Sequence, residues 1–264
     1  MIDLSGIHVL FNPGTVIETH ALRGLDLTIK EGEFVTVIGS NGSGKSTLLN
    51  VVAGEVSPQS GKVTIDATDV TRWTTAGRAG LVARVFQDPM AGTCEALSIE
   101  ENLALAYNRG HSRQLRRAVS ADRRALFQQK VDQLDLGLGS RLEDRMGLLS
   151  GGQRQAVSLI MATLKPMKIL LLDEHTAALD PKTAAFIMTL TDRIVRENGL
   201  TSMMVTHSMR QALDFGDRTV MLHNGKVVLD VAGETRKDMR VEDLLRMFEK
   251  VRGQELDDDA LLLG

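Results

Sequence analysis

The stretch Gly39-Ser40-Asn41-Gly42-Ser43-Gly44-Lys45-Ser46-Thr47 constrains this chain more than any other, because it fits G-x-x-x-x-G-K-[ST] between an apolar strand and a helix start. Phe34 to Ile38 is a compact, largely β-branched run ending at Gly39. Leu48, Leu49, Val51, Val52 and Ala53 mark the apolar side of a short helix that Gly54 would end. A strand feeding a glycine-rich loop and then a helix is the layout a polyphosphate cradle requires. Successive backbone N–H groups wrap the anion, and glycines at 39, 42 and 44 permit the torsions and the close approach. The helix N-terminus adds roughly half a unit of positive charge facing the same anion. Lys45 is expected to bridge the β- and γ-phosphates, and the Ser46 hydroxyl to ligate Mg²⁺. Ser40, Asn41, Ser43 and Thr47 belong to the same cradle.

A bound Mg²⁺-nucleotide needs a second carboxylate site, and Ile169-Leu170-Leu171-Leu172-Asp173-Glu174 supplies one. Four apolar residues bury the strand and two acids emerge at its end, where open parallel sheets bind ligands. Asp173 would hold the metal through water, while Glu174 is placed to polarise a water for in-line attack on the γ-phosphate. A capping pair of acids without chemistry is the alternative.

The rest of the chain reads as an α/β body with an insertion. Leu25 to Ile29, Val63 to Ile65 and Leu81 to Phe86 look like strands, as do Met203 to Thr206 and Val220 to Leu222, the last turning at Asn224-Gly225. Pro181 to Val195 is a helix. Fully apolar strands alternating with helices imply a largely parallel sheet buried on both faces. Between Pro89 and Leu149 the chain turns polar and arginine-rich, with Leu126, Val131, Leu134 and Leu138 at helical spacing. This is an expected helical subdomain. Its arginines at 109, 113, 116, 117, 123 and 124 form either a solvated face or a surface for lipid headgroups or a partner. Val241 to Val251 is amphipathic, and Asp257-Asp258-Asp259 opens an acidic tail.

Several classes are disfavoured by composition. No apolar run approaches the ~18 residues of a membrane span, and the mean hydropathy is -0.05. Met1-Ile2-Asp3-Leu4-Ser5 lacks a basic segment followed by an apolar core, so no leader is expected and a cytoplasmic address follows. Cys94 is the single cysteine, which fits a reducing compartment and no structural zinc. Thirty-one basic against 34 acidic residues give a net charge of -3, so no nucleic-acid partner is expected.

One further element has no general phosphate-loop explanation. Leu149-Ser150-Gly151-Gly152-Gln153-Arg154-Gln155, placed after a helical insert and before the acidic strand, makes the chain resemble the ATP-binding-cassette (ABC) ATPases over roughly residues 2 to 235. Gln87, in Val85-Phe86-Gln87-Asp88-Pro89, resembles the family's Q-loop glutamine. Ala178-Leu179-Asp180 resembles its D-loop, and His207 its switch histidine. The resemblance implies a P-loop NTPase core: a mixed, largely parallel sheet with N-terminal antiparallel strands, plus an inserted α-helical subdomain. The division expected is a nucleotide-binding domain over 1–240, with core at 1–88 and 153–240 and helical subdomain at about 89–152. An amphipathic helix and tail follow over 241–264.

The resemblance also implies roles. Ser150, Gly151, Gly152 and Gln153 would form an uncapped, positively polarised helix end that meets the γ-phosphate held by a second subunit. Two chains would then sandwich two ATP molecules head to tail, as a homodimer or with a paired cassette. Gln87 would reach the metal and the attacking water and touch a transmembrane partner. His207 would donate to the γ-phosphate, its other reading being a packed or surface histidine. Asp180 before Pro181 reads as an N-cap and also as a residue across the dimer interface. Phe11 either stacks on adenine or is a core phenylalanine. His175 stands where many relatives have proline, and Gln155-Ala156-Val157 departs from a commoner ending.

The expected function is a Mg²⁺-dependent ATPase that powers separate permease subunits of an importer with an extracytoplasmic binding protein. It would lie peripherally on the inner face of the membrane. Asn12-Pro13-Gly14-Thr15, Asp88 to Thr93 and Glu174 to Asp180 resemble ATPases encoded beside aromatic-amino-acid-type binding proteins. A soluble cassette ATPase such as an iron–sulfur assembly factor is the alternative.

Overall fold

The computed structural model describes residues 1–110 and 118–250. The chain opens with an antiparallel pair, β1 (Ile2–Phe11) and β2 (Thr19–Ile29), and then enters the central strand β3 (Phe34–Gly39), the glycine-rich loop and α1 (Lys45–Ala53). Next come β4 (Ser60–Ile65), β5 (Thr68–Asp69), α2 (Thr75–Arg78) and β6 (Val82–Val85). The helical stretch holds α3 (Ile99–Tyr107), α4 (Ala121–Asp132), two 3-10 turns, and α5 (Gly151–Thr163). The chain returns through β7 (Ile169–Asp173), α6 (Pro181–Glu197), β8 (Ser202–Val205), α7 (Met209–Asp214), β9 (Arg218–His223), β10 (Lys226–Ala232) and α8 (Gly233–Lys237). Residues 241–250 are helical.

Two sheets result. One has the order β2-β1-β4-β5 and is antiparallel; the other has the order β10-β9-β3-β8-β7-β6, with β10 antiparallel at its edge and the rest parallel. The expected mixed, largely parallel sheet with N-terminal antiparallel strands is therefore present. β3 sits between β8 and β9, which are distant in sequence. The chain order thus reverses at β3, the place where doubly wound sheets open a crevice beyond their strand ends.

Both faces of the central sheet are covered. Ile169 and Leu171 of β7 pack with α1 and the antiparallel sheet, while Leu170 and Leu172 pack with α3, α4, α5 and α6. That two-sided burial is why β7 is apolar at four consecutive positions. The inserted helices do not form a core of their own, since Leu103, Phe127 and Leu159 share one cluster with Phe34, Ala83 and Met204 of the sheet. α4 is shorter than the spacing of Leu126 to Leu138 implied. It ends at Asp132, and Asp135 (φ 56) and Gly137 (φ 65) turn the chain so that Leu134 and Leu138 still reach that cluster.

Of the expected basic patch, Arg109, Arg123 and Arg124 lie among the described residues, and each has a partner. Arg124 pairs with Glu100 and Glu143, Arg123 stacks on Tyr107, and Arg109 donates to the Ala162 carbonyl with burial pushing its guanidinium pKa down. Arg113, Arg116 and Arg117 lie outside the described residues, as do Val251 and the acidic tail. The helix over 241–250 packs Leu244 and Phe248 against Ile38, Met209, Ala212 and Met221.

The position of α1 is set at its far end by Arg78, whose side chain is fully buried. It donates to Val51 O at 2.6 Å, Val52 O at 2.8 Å and Val70 O at 2.6 Å. The first two are last-turn carbonyls of α1, the negative end of its dipole, and the third follows β5; together they stand in for a carboxylate counter-ion. Arg78→Met removes all three charge-assisted bonds and is expected to cost about 3 kcal/mol. Urea unfolding followed by circular dichroism checks this, and an unchanged midpoint would contradict it.

Candidate nucleotide site

The glycine-rich loop closes at the crevice beside β3. Gly39, Gly42 and Gly44 adopt φ of 151°, 79° and 105°. At Gly39 a Cβ would lie 2.3 Å from Leu222 O, and at Gly44 one would lie 2.6 Å from Ala21 O. Backbone of β9 and β2 therefore presses on the loop from outside and holds its N–H groups inward. Lys45 is buried and donates from Nζ to Gly39 O (2.8 Å) and Ser40 O (2.9 Å). Burial lowers its pKa and the nearby Glu174 charge partly restores it. Its contacts are carbonyls of its own loop, with no carboxylate in salt-bridge range among the described residues. A buried ammonium in that state has charge left for an anion.

The start of α1 makes the same point. α3, α4, α5 and α6 each begin with a side-chain cap, from Ser98, Ser120, Ser150 and Asp180. α1 begins at Gly44 with none. Its first N–H groups are open to a phosphate, which supplies the capping oxygens a side chain supplies elsewhere. Ser40, Asn41 and Ser46 are exposed on the open side of the loop, Thr47 is half-buried, and Ser43 is buried.

The two acids emerge from the end of β7, with β8 on one side and β6 on the other. Glu174 occupies left-handed backbone (φ 45°), which turns its side chain away from the strand direction. Its Oε2 lies 2.6 Å from Nε2 of His207, two residues beyond the end of β8. Glu174 is nearly buried and His207 half exposed. Lys45, Asp173, Glu174 and His207 thus gather at the C-terminal ends of three neighbouring strands. Gln87 lies two residues beyond β6, exposed and without a hydrogen-bond partner among the described residues.

No cluster of three or more His, Cys, Asp or Glu capable of caging a metal occurs among the described residues. The donors present, a Ser46 hydroxyl, Asp173 and the Gln87 amide, instead suit Mg²⁺, which keeps several waters and takes one or two protein ligands plus phosphate oxygens.

The signature segment corrects one expectation. The helix end at Ser150 is not uncapped: Gln153 N donates to Ser150 Oγ (3.3 Å) and Ser150 N donates to Gln153 Oε1 (3.1 Å), a reciprocal capping box. The N–H groups of Gly151 and Gly152 remain without a protein partner among the described residues. A Cβ on Gly152 would lie 2.2 Å from Thr183 Cγ2, so this glycine lets the starts of α5 and α6 touch. Asp180 caps α6 through Thr183 N (3.1 Å), with Pro181 at the first helical position. Phe11 is 37% exposed at the end of β1, so its reading as a core phenylalanine does not hold.

Two neighbours of these residues carry contacts that the sequence did not announce. Arg84 of β6 donates to Asp173 Oδ2 at 2.5 Å; a charge inside the apolar run Leu81 to Phe86 was its signal. Gln155, fully buried, donates to Phe86 O (3.2 Å) and ties α5 to the chain entering Gln87. Its sequence context places it in the signature segment but gives no sign of this contact.

His175 is buried beside Thr191 Oγ1 (2.9 Å), and burial pushes its pKa down to about 4. Thr191 donates onward to Ile187 O, so His175 Nε2 is the donor to Thr191. The folded state holds this ring neutral while the unfolded chain protonates it near pH 6.5, so stability is full above that pH and declines as pH falls toward 4. The loss reaches about 3 kcal/mol. His175→Gln should flatten that decline in denaturation series from pH 7 to 4, and an unaltered profile would contradict the assignment.

A family model described as ABC transporter matches residues 22–177. A tyrosine transport ATP-binding protein of Clostridioides difficile (strain R20291) is 46% identical over 237 residues, 90% of this chain and 92% of the relative. An aliphatic sulfonates import ATP-binding protein of Rhizobium johnstonii is 34% identical over 230 residues, 87% of this chain and 76% of the relative. Among solved structures, a dimeric post-hydrolysis state of the ATP-binding cassette MJ0796 bound to ADP and Pi is similar at a TM-score of 0.75 and 30% identity, covering 88% of this chain and 98% of that one. With the uncapped α1, the unpaired Lys45 and the paired acids at the β7 end, these similarities place the chain in the ABC transporter family, as one of its ATP-hydrolysing cassettes.

Proposed function

We propose that this chain is the ATP-hydrolysing subunit of a small-solute importer, working as a head-to-tail pair of cassettes beneath separate permease subunits. The observation that carries this reading is the convergence of Lys45, Asp173, Glu174 and His207 at the ends of adjacent strands, with the open N-terminus of α1 between them. Lys45 and the loop N–H groups hold the β- and γ-phosphates. Mg²⁺, when held by the Ser46 hydroxyl and faced by Asp173 and Gln87, offsets phosphate charge.

Glu174 accepts a proton from a water whose oxygen attacks the γ-phosphorus in line. The bond from that phosphorus to the β–γ bridging oxygen breaks, and ADP and phosphate form. His207 turns from Glu174 to donate to the γ-phosphate as charge develops there. Phe11 stacks on the adenine.

Ser150, Gly151, Gly152 and Gln153 of the second cassette close over the γ-phosphate, and Asp180 lies at the seam. The dimeric cassette of similar fold supports this pairing. Gln87, exposed and joined through Phe86 to α5, carries the state of the site to the permease. No helix among the described residues is long and apolar enough to cross a membrane, which fits a subunit held peripherally at the inner face by its partners. The name of the Rhizobium johnstonii relative supports import, and that of the Clostridioides difficile relative, a tyrosine transport protein, supports an aromatic amino acid as the solute; an extracytoplasmic binding protein would deliver it.

The test is affinity purification of the chain from detergent-solubilised cells that express it at native level. Recovery with a multi-span permease is the expected result. Recovery with soluble scaffold proteins alone would overturn the transport reading in favour of an assembly factor.

A further inference from the structure

Arg84 is the charged residue of a strand whose other positions are apolar, and its side chain is 12% exposed. One terminal nitrogen donates to Asp173 Oδ2 at 2.5 Å, and the other donates to Asn50 Oδ1 and Glu55 Oε1, both at 2.9 Å. Its guanidinium carbon lies 4.8 Å from the centroid of the Phe86 ring. Its Nε is buried with no hydrogen-bond partner. One group thus joins the last turn of α1, the residue after its C-terminal glycine cap, the acid at the end of β7 and the aromatic residue next to Gln87.

Stability alone does not account for this arrangement. A buried ion pair repays its desolvation poorly, and an apolar side chain of similar size commonly serves a core as well or better. The orphaned Nε adds to that cost. What the guanidinium does supply is direction. It takes one oxygen of Asp173, while Oδ1 has no hydrogen bond among the described residues, and its rigid fork fixes which way the carboxylate faces.

We propose that Arg84 is a positioning residue for the metal acid: it clamps Asp173 so that the free oxygen is set for the hydrated magnesium ion, and it ties that setting to the strand leading into Gln87. The inference rests on the reading of Asp173 as the acid that faces magnesium. Residues around metal ligands that orient them through hydrogen bonds act on metal affinity more than on the fold.

The test measures affinity of the full chain for the non-hydrolysable analogue AMP-PNP by calorimetry, in EDTA and across a Mg²⁺ titration, for the parent, Arg84→Met and Arg84→Lys. In the parent, Mg²⁺ is expected to strengthen binding. In Arg84→Met the affinity in EDTA should stay within about twofold of the parent, while the gain on adding Mg²⁺ shrinks about tenfold. Arg84→Lys keeps the charge without the fork and should recover part of that gain.

A gain kept at the parental size in Arg84→Met would overturn the proposal. So would equal losses in EDTA and in Mg²⁺, which mark a structural role alone. Should Arg84→Met fail to fold, Arg84→Lys carries the test, and an undiminished gain there overturns it as well. A parent that ignores Mg²⁺ would overturn the reading of Asp173 and this inference with it.

Discussion

A buried ammonium group that donates to carbonyls of its own loop, with no carboxylate in salt-bridge range among the described residues, is the constraint on which the site depends. Lys45 sits where the open end of α1 and the inward N–H groups of the glycine loop already concentrate positive potential. The fold has to hold that arrangement against its own electrostatics. It does so from three sides: β9 and β2 press on the loop at Gly39 and Gly44, and Arg78 neutralises the opposite end of the α1 dipole. Burial of Leu48, Leu49, Val51 and Val52 between the two sheets fixes the helix axis. The antiparallel sheet therefore serves as the outer wall that holds this helix end in place.

The acids are arranged by the same logic of strand ends. Parallel pairing of β3, β7 and β8 brings Lys45, Asp173, Glu174 and His207 to one rim, though they are far apart in sequence. The positive φ of Glu174 turns it onto His207, and Arg84 turns Asp173 the other way. Two adjacent carboxylates are thereby given different neighbours, one a half-exposed imidazole and the other a buried guanidinium. That difference in surroundings is the physical basis for assigning them different work.

Much of this was legible in the sequence, and the parts that were not have identifiable causes. The loop between β3 and α1, the apolar β7 and the proline-started α6 carry local signals strong enough to survive burial. β1 went unplaced because a bulge at Ser5 and Gly6 shifts its two-residue period: Ile2 and Leu4 point inward, and then Ile7 and Val9. The end of α4 was misplaced because Leu134 and Leu138 keep helical spacing while packing from a turn. Among site residues, those in short motifs were found by pattern. Arg84 was not, and Gln155 was seen only as part of the signature, because their importance comes from contacts with residues 89 and 69 positions away.

α5 closes its own first turn through Ser150 and Gln153, while the N–H groups of Gly151 and Gly152 have no protein partner among the described residues, and would be half of an anion site. Within the proposed pair of cassettes, the other half is the γ-phosphate over Lys45 of the second chain. The most direct measurement is the mass of Glu174→Gln by light scattering, with and without Mg²⁺-ATP, alone and combined with Ser150→Arg. ATP is expected to double the mass of Glu174→Gln while its hydrolysis falls steeply, and adding Ser150→Arg is expected to return it to a monomer. A monomer with ATP in Glu174→Gln, or a dimer that persists with Ser150→Arg, would contradict the proposed pairing.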